Sequence, residues 1–166
     1  MTEPKEENIQ DALADQKQNC LFCQIIAGKT HSRKVYEDEL CIGILDINPA
    51  NPGHVLVLPK EHYPILPLMP PSVMDSLFVS ARKISLAMLR YLKAEGSNIF
   101  IANGSAAGQK APHAMIHIIP RTASDGVKTF TLPQHKIKPE DAEKLQQLIA
   151  ARVQAALKEA TPVKTT

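Results

Sequence analysis

Apolar residues recur along the chain with two different periods, and these divide it into strands and helices. Leu77, Ile84, Met88 and Leu92, with Val73, Ala81 and Tyr91, recur at three- and four-residue steps. That spacing makes one stripe on a helix and predicts a long one over residues 72–94. Ser72 is its expected cap, Asp75 falls in its first turn where a negative charge suits the dipole, and Gly96 is its expected stop. Pro139, followed by Glu140, Asp141 and Glu143, predicts a final helix running to about Ala160. Elsewhere the apolar runs are short. VYEDEL and CIGILD read as strand, tight acidic turn, strand, and HVLVLPK reads as a central strand. NIFIAN and HAMIHII read as two more, the second ended by Pro120, with a further edge strand expected around Lys128–Leu132. Asn19 and Gly28 bracket a short helix over Leu21–Ala27. INPANPG and HYPILPLMPP are too rich in proline for anything but loop.

Short helix, strands, long helix, strands and late helix together predict an α+β domain on an antiparallel sheet. Its expected extent is 19–160, with a polar extension over 1–18 and a loose tail over 161–166. A chain of 166 residues fits one domain, which at this size buries about 70% of its unfolded surface. Hydrophobic content of 44% and charged content of 22% exclude wholesale disorder. No run approaches the roughly 18–20 apolar residues of a membrane span. A net charge of +2 gives no reason to expect nucleic acid as a partner. The N-terminal MTEPKEENIQ lacks the basic and apolar regions of a secretory signal, so a cytoplasmic location and reduced cysteines are expected. Cys41, inside LCIGIL, reads as a buried small apolar residue.

The densest chemistry lies in NGSAAGQKAPHAMIHIIPR, residues 103–121. Side chains at alternate positions of a strand share a face. His113, Met115 and His117 therefore project to one side, and Ala114, Ile116 and Ile118 to the other, into the core. Gly104 and Gly108 permit positive φ, which lets a turn aim its amides at an anion. Asn103, Ser105 and Gln109 add neutral donors. Asp46 can serve as a turn cap before Asn48-Pro49, and His54 reads as a structural residue bonding the backbone. Cys20-x2-Cys23 has the spacing of a zinc half-site, a redox pair or simple packing.

APHAMIHIIPR resembles the signature of the histidine triad (HIT) superfamily, His-φ-His-φ-His-φ-φ with φ apolar. CLFCQIIAG, KVYEDELCIGILDINPANPGHVLVLPKEHY and NGSAAGQ resemble the corresponding family segments in the same order. The resemblance spans Cys20 to Arg121 and implies a HIT-like fold, with about five antiparallel strands, one long helix and a C-terminal helix. It also implies a purine nucleotide, nucleoside or related phosphate as ligand. Asp46 would accept from the ribose hydroxyls, Ile44 and Ile47 would wall the base, and Asn103, Gly108, Gln109 and His117 would face the phosphate. Some relatives bind structural zinc, which here implies Cys20, Cys23, His62 and His113 as ligands. Many are homodimers joined through the long helix and an adjacent strand.

One position departs from the family. Its middle histidine, the nucleophile that forms a covalent nucleotidyl-imidazole, falls on Met115. A thioether carries no titratable proton and forms no useful phosphoryl adduct. The expected function is therefore nucleotide binding without covalent catalysis. The alternatives are hydrolysis or transfer with His117 activating water directly, and a protein-interaction scaffold.

Overall fold

A computed structural model describes residues 16–127 and 135–159. Five strands form one antiparallel sheet: β1 (Lys34–Glu37), β2 (Cys41–Leu45), β3 (Val55–Pro59), β4 (Gly96–Phe100) and β5 (Ile116–Arg121), in the spatial order β1-β2-β3-β5-β4. The α+β class and the antiparallel sheet are as the alternation predicts. β3 is central and entirely buried, as its unbroken apolar run requires. The expected edge strand around Lys128–Leu132 lies outside the described residues.

The long helix, α2 (Pro71–Tyr91), buries Val73, Leu77, Ser80, Ala81, Ile84 and Met88. These residues pack on Cys41, Val55, Val57, Ile116 and Ile118 of the sheet. Ser80 sits inside this stripe because its hydroxyl reaches Asp38 at 3.2 Å. Asp38 also accepts from the amides of Leu40 and Cys41, and so fastens the β1–β2 turn to the helix. Cys41 is fully buried, with its Sγ 3.3 Å from Ser76 Oγ.

The helix ends differ from expectation. Pro70 is the N-cap and Pro71 the first helical residue, so Ser72 caps nothing and Asp75 lies beyond the first turn. Proline suits that first position, since its missing N–H would be unpaired there anyway. At the other end, Leu92 is the C-cap and Lys93 takes φ +55°, which turns the chain before Gly96. Tyr91 and Leu92 therefore leave the predicted stripe and are exposed.

Pro120 falls inside β5 instead of ending it, paired with Ser97 of β4. Pairing of β5 with β3 stops at Val55–Ile118, so beyond it β5 has an open side that tolerates a missing donor. The strand begins only at Ile116, leaving His113–Met115 as a preceding bend.

A short helix, α1 (Leu21–Ile26), lies on the sheet face opposite α2. Its Phe22, Ile25 and Ile26 pack on Ile42, Ile44, Leu56 and Leu58. Cys20, not Asn19, is its N-cap, and Gly28 follows it with φ +73°. The chain divides into two units, Met1–Val127 and Lys128–Thr166. The second carries α3 (Pro139–Glu159), which begins at the predicted proline with Glu140 and Asp141 in its first turn.

Candidate functional site

The sheet face opposite α2 carries the polar chemistry. Alternation holds through the bend before β5. Ala114, Ile116 and Ile118 join the α2 core, whereas Met115 packs with Ile42, Ile44, Leu56 and Leu58 on the other face. His117 is the direct partner of Leu56 on β3 and of Phe100 on β4. Phe100 stacks on its ring, with centroids 4.5 Å apart and planes 7° from parallel. Met115 thus separates two clusters, one toward each end of β3.

At the Pro59 end stand Cys20, Cys23, His62 and His113, with one ligating atom from each within 4.8 Å of the rest. His113 Nε2 donates to the Pro59 carbonyl at 3.0 Å, which leaves Nδ1 as the lone pair. Nδ1 is 3.5 Å from Cys20 Sγ and 3.6 Å from Cys23 Sγ. His62 Nδ1 is 3.3 Å from Cys23 Sγ. Tetrahedral zinc, with bonds of about 2.3 Å to sulfur and about 2.0 Å to nitrogen, sets S and N neighbours about 3.5 Å apart. The four residues therefore fit the ion in both donor type and spacing. His62 Nε2, the other ring nitrogen, is buried with no hydrogen-bond partner among the described residues. Burial holds His113 down to about 4, the Pro59 bond opposing and His62 assisting, so its imidazole is neutral and ready to ligate. Burial, then the hydrogen bond with Cys20, lifts the Cys23 thiol to about 11, so a bound metal would displace that proton. Lys17, in the helical turn over 16–19, pairs with Glu61 at 3.0 Å and ties this segment to the same end of the sheet.

At the other end, Asp46 follows β2 and His54 precedes β3; the Asp46 N–H donates to the His54 carbonyl at 2.9 Å. Asp46 Oδ2 lies 3.4 Å from His54 Nδ1, and His54 Nε2 lies 3.2 Å from His117 Nδ1. Burial is the main cause that lowers the pKa of both rings, that of His117 to about 4. Asp46 opposes the shift in each, and His54 adds to it in His117. Asp46 Oδ1 also accepts the Asn48 amide at 2.9 Å, so the turn-cap reading of this residue is realised as well. The sequence predicts that His54 is structural and bonds the backbone, and the Ala50 amide does donate to its Nδ1 at 3.3 Å; the ring also meets Asp46 and His117. The signal that finds it is parity, since Asp46 and His54 continue the alternation of Ile42 and Ile44, and of Leu56 and Leu58, on one face.

The glycine loop takes the conformation its residues predict, with φ +87° at Gly104 and +86° at Gly108. Its polar groups bond largely within the loop and to the segment beside it. Gln109 Oε1 accepts the Gly104 amide at 2.7 Å, and Nε2 donates to Pro64 O and Ala111 O. Asn103 Oδ1 accepts the Leu66 amide at 3.0 Å. The Gly108 and Gln109 amides bond to Ser105 and Gly104 carbonyls. A cleft of about 290 Å³ runs between this loop and Pro64–Ile65, and Asp46, Met115 and His117 do not line it. Of the residues expected at the base, Ile44 is buried in the Met115 cluster and Ile47 is exposed.

Residues 27–124 match the family model of the HIT domain, with Cys20 and Cys23 just ahead of the matched segment. The adenylylsulfatase HINT3 of Arabidopsis thaliana is 41% identical over 121 residues, covering 72% of this chain and 61% of that protein. Among solved structures, SMU.412c from Streptococcus mutans has a TM-score of 0.76 at 39% identity, over 81% of this chain and 85% of that one. A zinc-bound histidine triad family protein from Mycobacterium smegmatis has a TM-score of 0.64 at 33% identity, over 84% and 99% of the two chains.

Proposed function

Because the chain belongs to the histidine triad (HIT) family, we propose that it binds a purine mononucleotide or a related nucleoside phosphate and forms no covalent histidine adduct with it. Met115 carries this reading. It lies on the face between the two polar clusters, packed on Ile42, Ile44, Leu56 and Leu58, and the resemblance of APHAMIHIIPR to the family signature puts it where the nucleophile would stand. Attack on phosphorus needs a nitrogen lone pair, which a thioether does not offer. The residues around it suit a nucleotide: Asp46 keeps acceptor capacity for ribose hydroxyls beside its two present contacts. Exposed Ile47 supplies apolar surface for a base, while Ile44 is buried in the cluster around Met115. Asn103, Gly108 and Gln109 shape the loop on the phosphate side, and His117 offers a ring nitrogen to the phosphate.

Zn2+ held by Cys20, Cys23, His62 and His113 would act structurally, tying the segment before α1 to the end of β3. Four N/S ligands fill a tetrahedral ion and leave no open position. We assign the chain to a homodimer built on α2 and the β4 edge. We place it in the cytoplasm, where Cys20, Cys23 and Cys41 stay reduced; among the described residues no helix is long and apolar enough to cross a membrane. Calorimetric titration of the zinc-loaded chain with AMP and GMP tests the reading. Saturable heat is expected for at least one, and no heat at millimolar ligand rules it out.

A further inference from the structure

Met115 removes the attacking imidazole, yet the same face keeps two histidines and a carboxylate in line across three neighbouring strands. The chain of contacts runs Asp46 Oδ2, His54 Nδ1 at 3.4 Å, then His54 Nε2 and His117 Nδ1 at 3.2 Å. His117 is half-buried, and its Nε2 makes no hydrogen bond among the described residues.

Two proton arrangements fit these atoms. In one, His54 Nδ1–H faces Asp46, His117 Nδ1–H donates to His54 Nε2, and His117 Nε2 is a bare lone pair. In the other, His54 Nδ1 accepts the Ala50 amide, which stands 3.3 Å away. Then His54 Nε2–H donates to His117, and the outer nitrogen of His117 carries a proton. Passing from one to the other moves protons and no heavy atom. Burial keeps both rings neutral near pH 7, so each has a lone pair; the same burial disfavours an imidazolium, which the Asp46 carboxylate partly offsets.

We propose that Asp46, His54 and His117 form a proton relay, and that His117 Nε2 is the base that activates water against the phosphorus of a bound nucleoside 5′-phosphoryl anhydride. The proposal rests on the nucleotide-binding reading above. In the step, the water oxygen bonds to phosphorus and its proton goes to His117 Nε2. His117 passes its Nδ1 proton to His54 Nε2, and the resulting imidazolium lies against Asp46. The bond from phosphorus to the leaving group breaks, and the leaving group departs with the electron pair as an anion. Because the relay retains the proton, the substrates are those whose leaving group needs none, such as sulfate or a polyphosphate. The products are a nucleoside monophosphate and that anion, and the proton returns to solvent. His117 is the catalytic residue here, while His54 and Asp46 are positioning residues that act through it.

The test uses the full zinc-loaded chain with adenylyl sulfate and a P-chiral α-thio dinucleoside tetraphosphate in 18O-water. Direct attack is one displacement and inverts phosphorus; a covalent adduct requires two and retains it. Inversion is expected. His117→Gln is expected to lower turnover at saturating substrate by at least ~100-fold, beyond any loss of AMP affinity that titration of the same variant reads. In His54→Gln, 15N NMR of the His117 ring is expected to show a changed tautomer at unchanged circular dichroism, an effect that packing alone would not produce. Retention at phosphorus overturns the proposal, as does turnover indifferent to His117→Gln. So does an absence of turnover in protein that still binds AMP. Asp46, His54 and His117 also stand close enough to hold an ion, so turnover that needs a second equivalent of divalent metal overturns the relay in favour of a metal site. Failure to bind AMP falls instead on the reading beneath it.

Discussion

Met115 packs on Ile42, Ile44, Leu56 and Leu58, and a histidine of similar length would fit there, at the position proposed above for the family's nucleophile. What changes is the lone pair. Met115→His is therefore expected to fold and to gain a nucleotidyl-imidazole, trapped on acid quenching and seen by intact mass after reaction with a nucleoside phosphoramidate. The chain with Met115 is expected to show none. His117 supplies a second residue-scale prediction. Burial sets its folded pKa near 4, against an ordinary histidine value of about 6.5 when unfolded. Between those values the unfolded chain binds a proton that the folded chain refuses, so stability rises with pH across that window and is lost as pH falls through it. His54 is shifted in the same direction. Thermal midpoints measured from pH 7 down to pH 4 are expected to fall, and more steeply in the parent chain than in His117→Gln.

Among the elements, α1 depends most on its surroundings. Six residues are too few for a helix to stand alone in water, and this one has no side-chain cap. Its packing on the sheet and the two cysteines at its start must hold it. A zinc ion present at ~100–1,000 times its dissociation constant stabilises the fold by about 3–4 kcal/mol. Cys23→Ser is therefore expected to lose nearly all bound zinc, read by elemental analysis. Its midpoint is expected to drop by about 10 °C. β5 teaches a related point about elements. Pro120 reads as a terminator because proline cannot donate to a ladder, but its neighbour β3 has already ended, and Asn51 Nδ2 bonds the Pro120 carbonyl from that side at 2.9 Å. Whether a proline ends a strand depends on the strand beside it, which local sequence does not state.

At the scale of the whole molecule, β4 is the sheet's edge beside α2, joined to it by the hydrogen bond between Ser85 and Ser97. Ile99 on this strand and Leu86 and Leu89 on the helix are exposed. A second copy pairing there would cover all three, so Leu89→Arg with Ile99→Lys is expected to convert a sedimenting dimer to monomer with unchanged circular dichroism. The amino-acid sequence determined the strand alternation that sends Ala114, Ile116 and Ile118 inward, the glycine turn and the buried thiol of Cys41. It also determined that Met115 stands midway between His113 and His117. Each of these is carried by residue type and a period of two to four positions, which is local information. Only the tertiary structure decided what meets. Cys20 reaches His113 across 93 positions and His54 reaches His117 across 63, because strand register, set by which apolar faces bury together, brings distant segments side by side. The same packing turned Gln109 and Asn103 into fasteners of their loop, since the backbone groups of Pro64, Leu66 and Ala111 stand within reach.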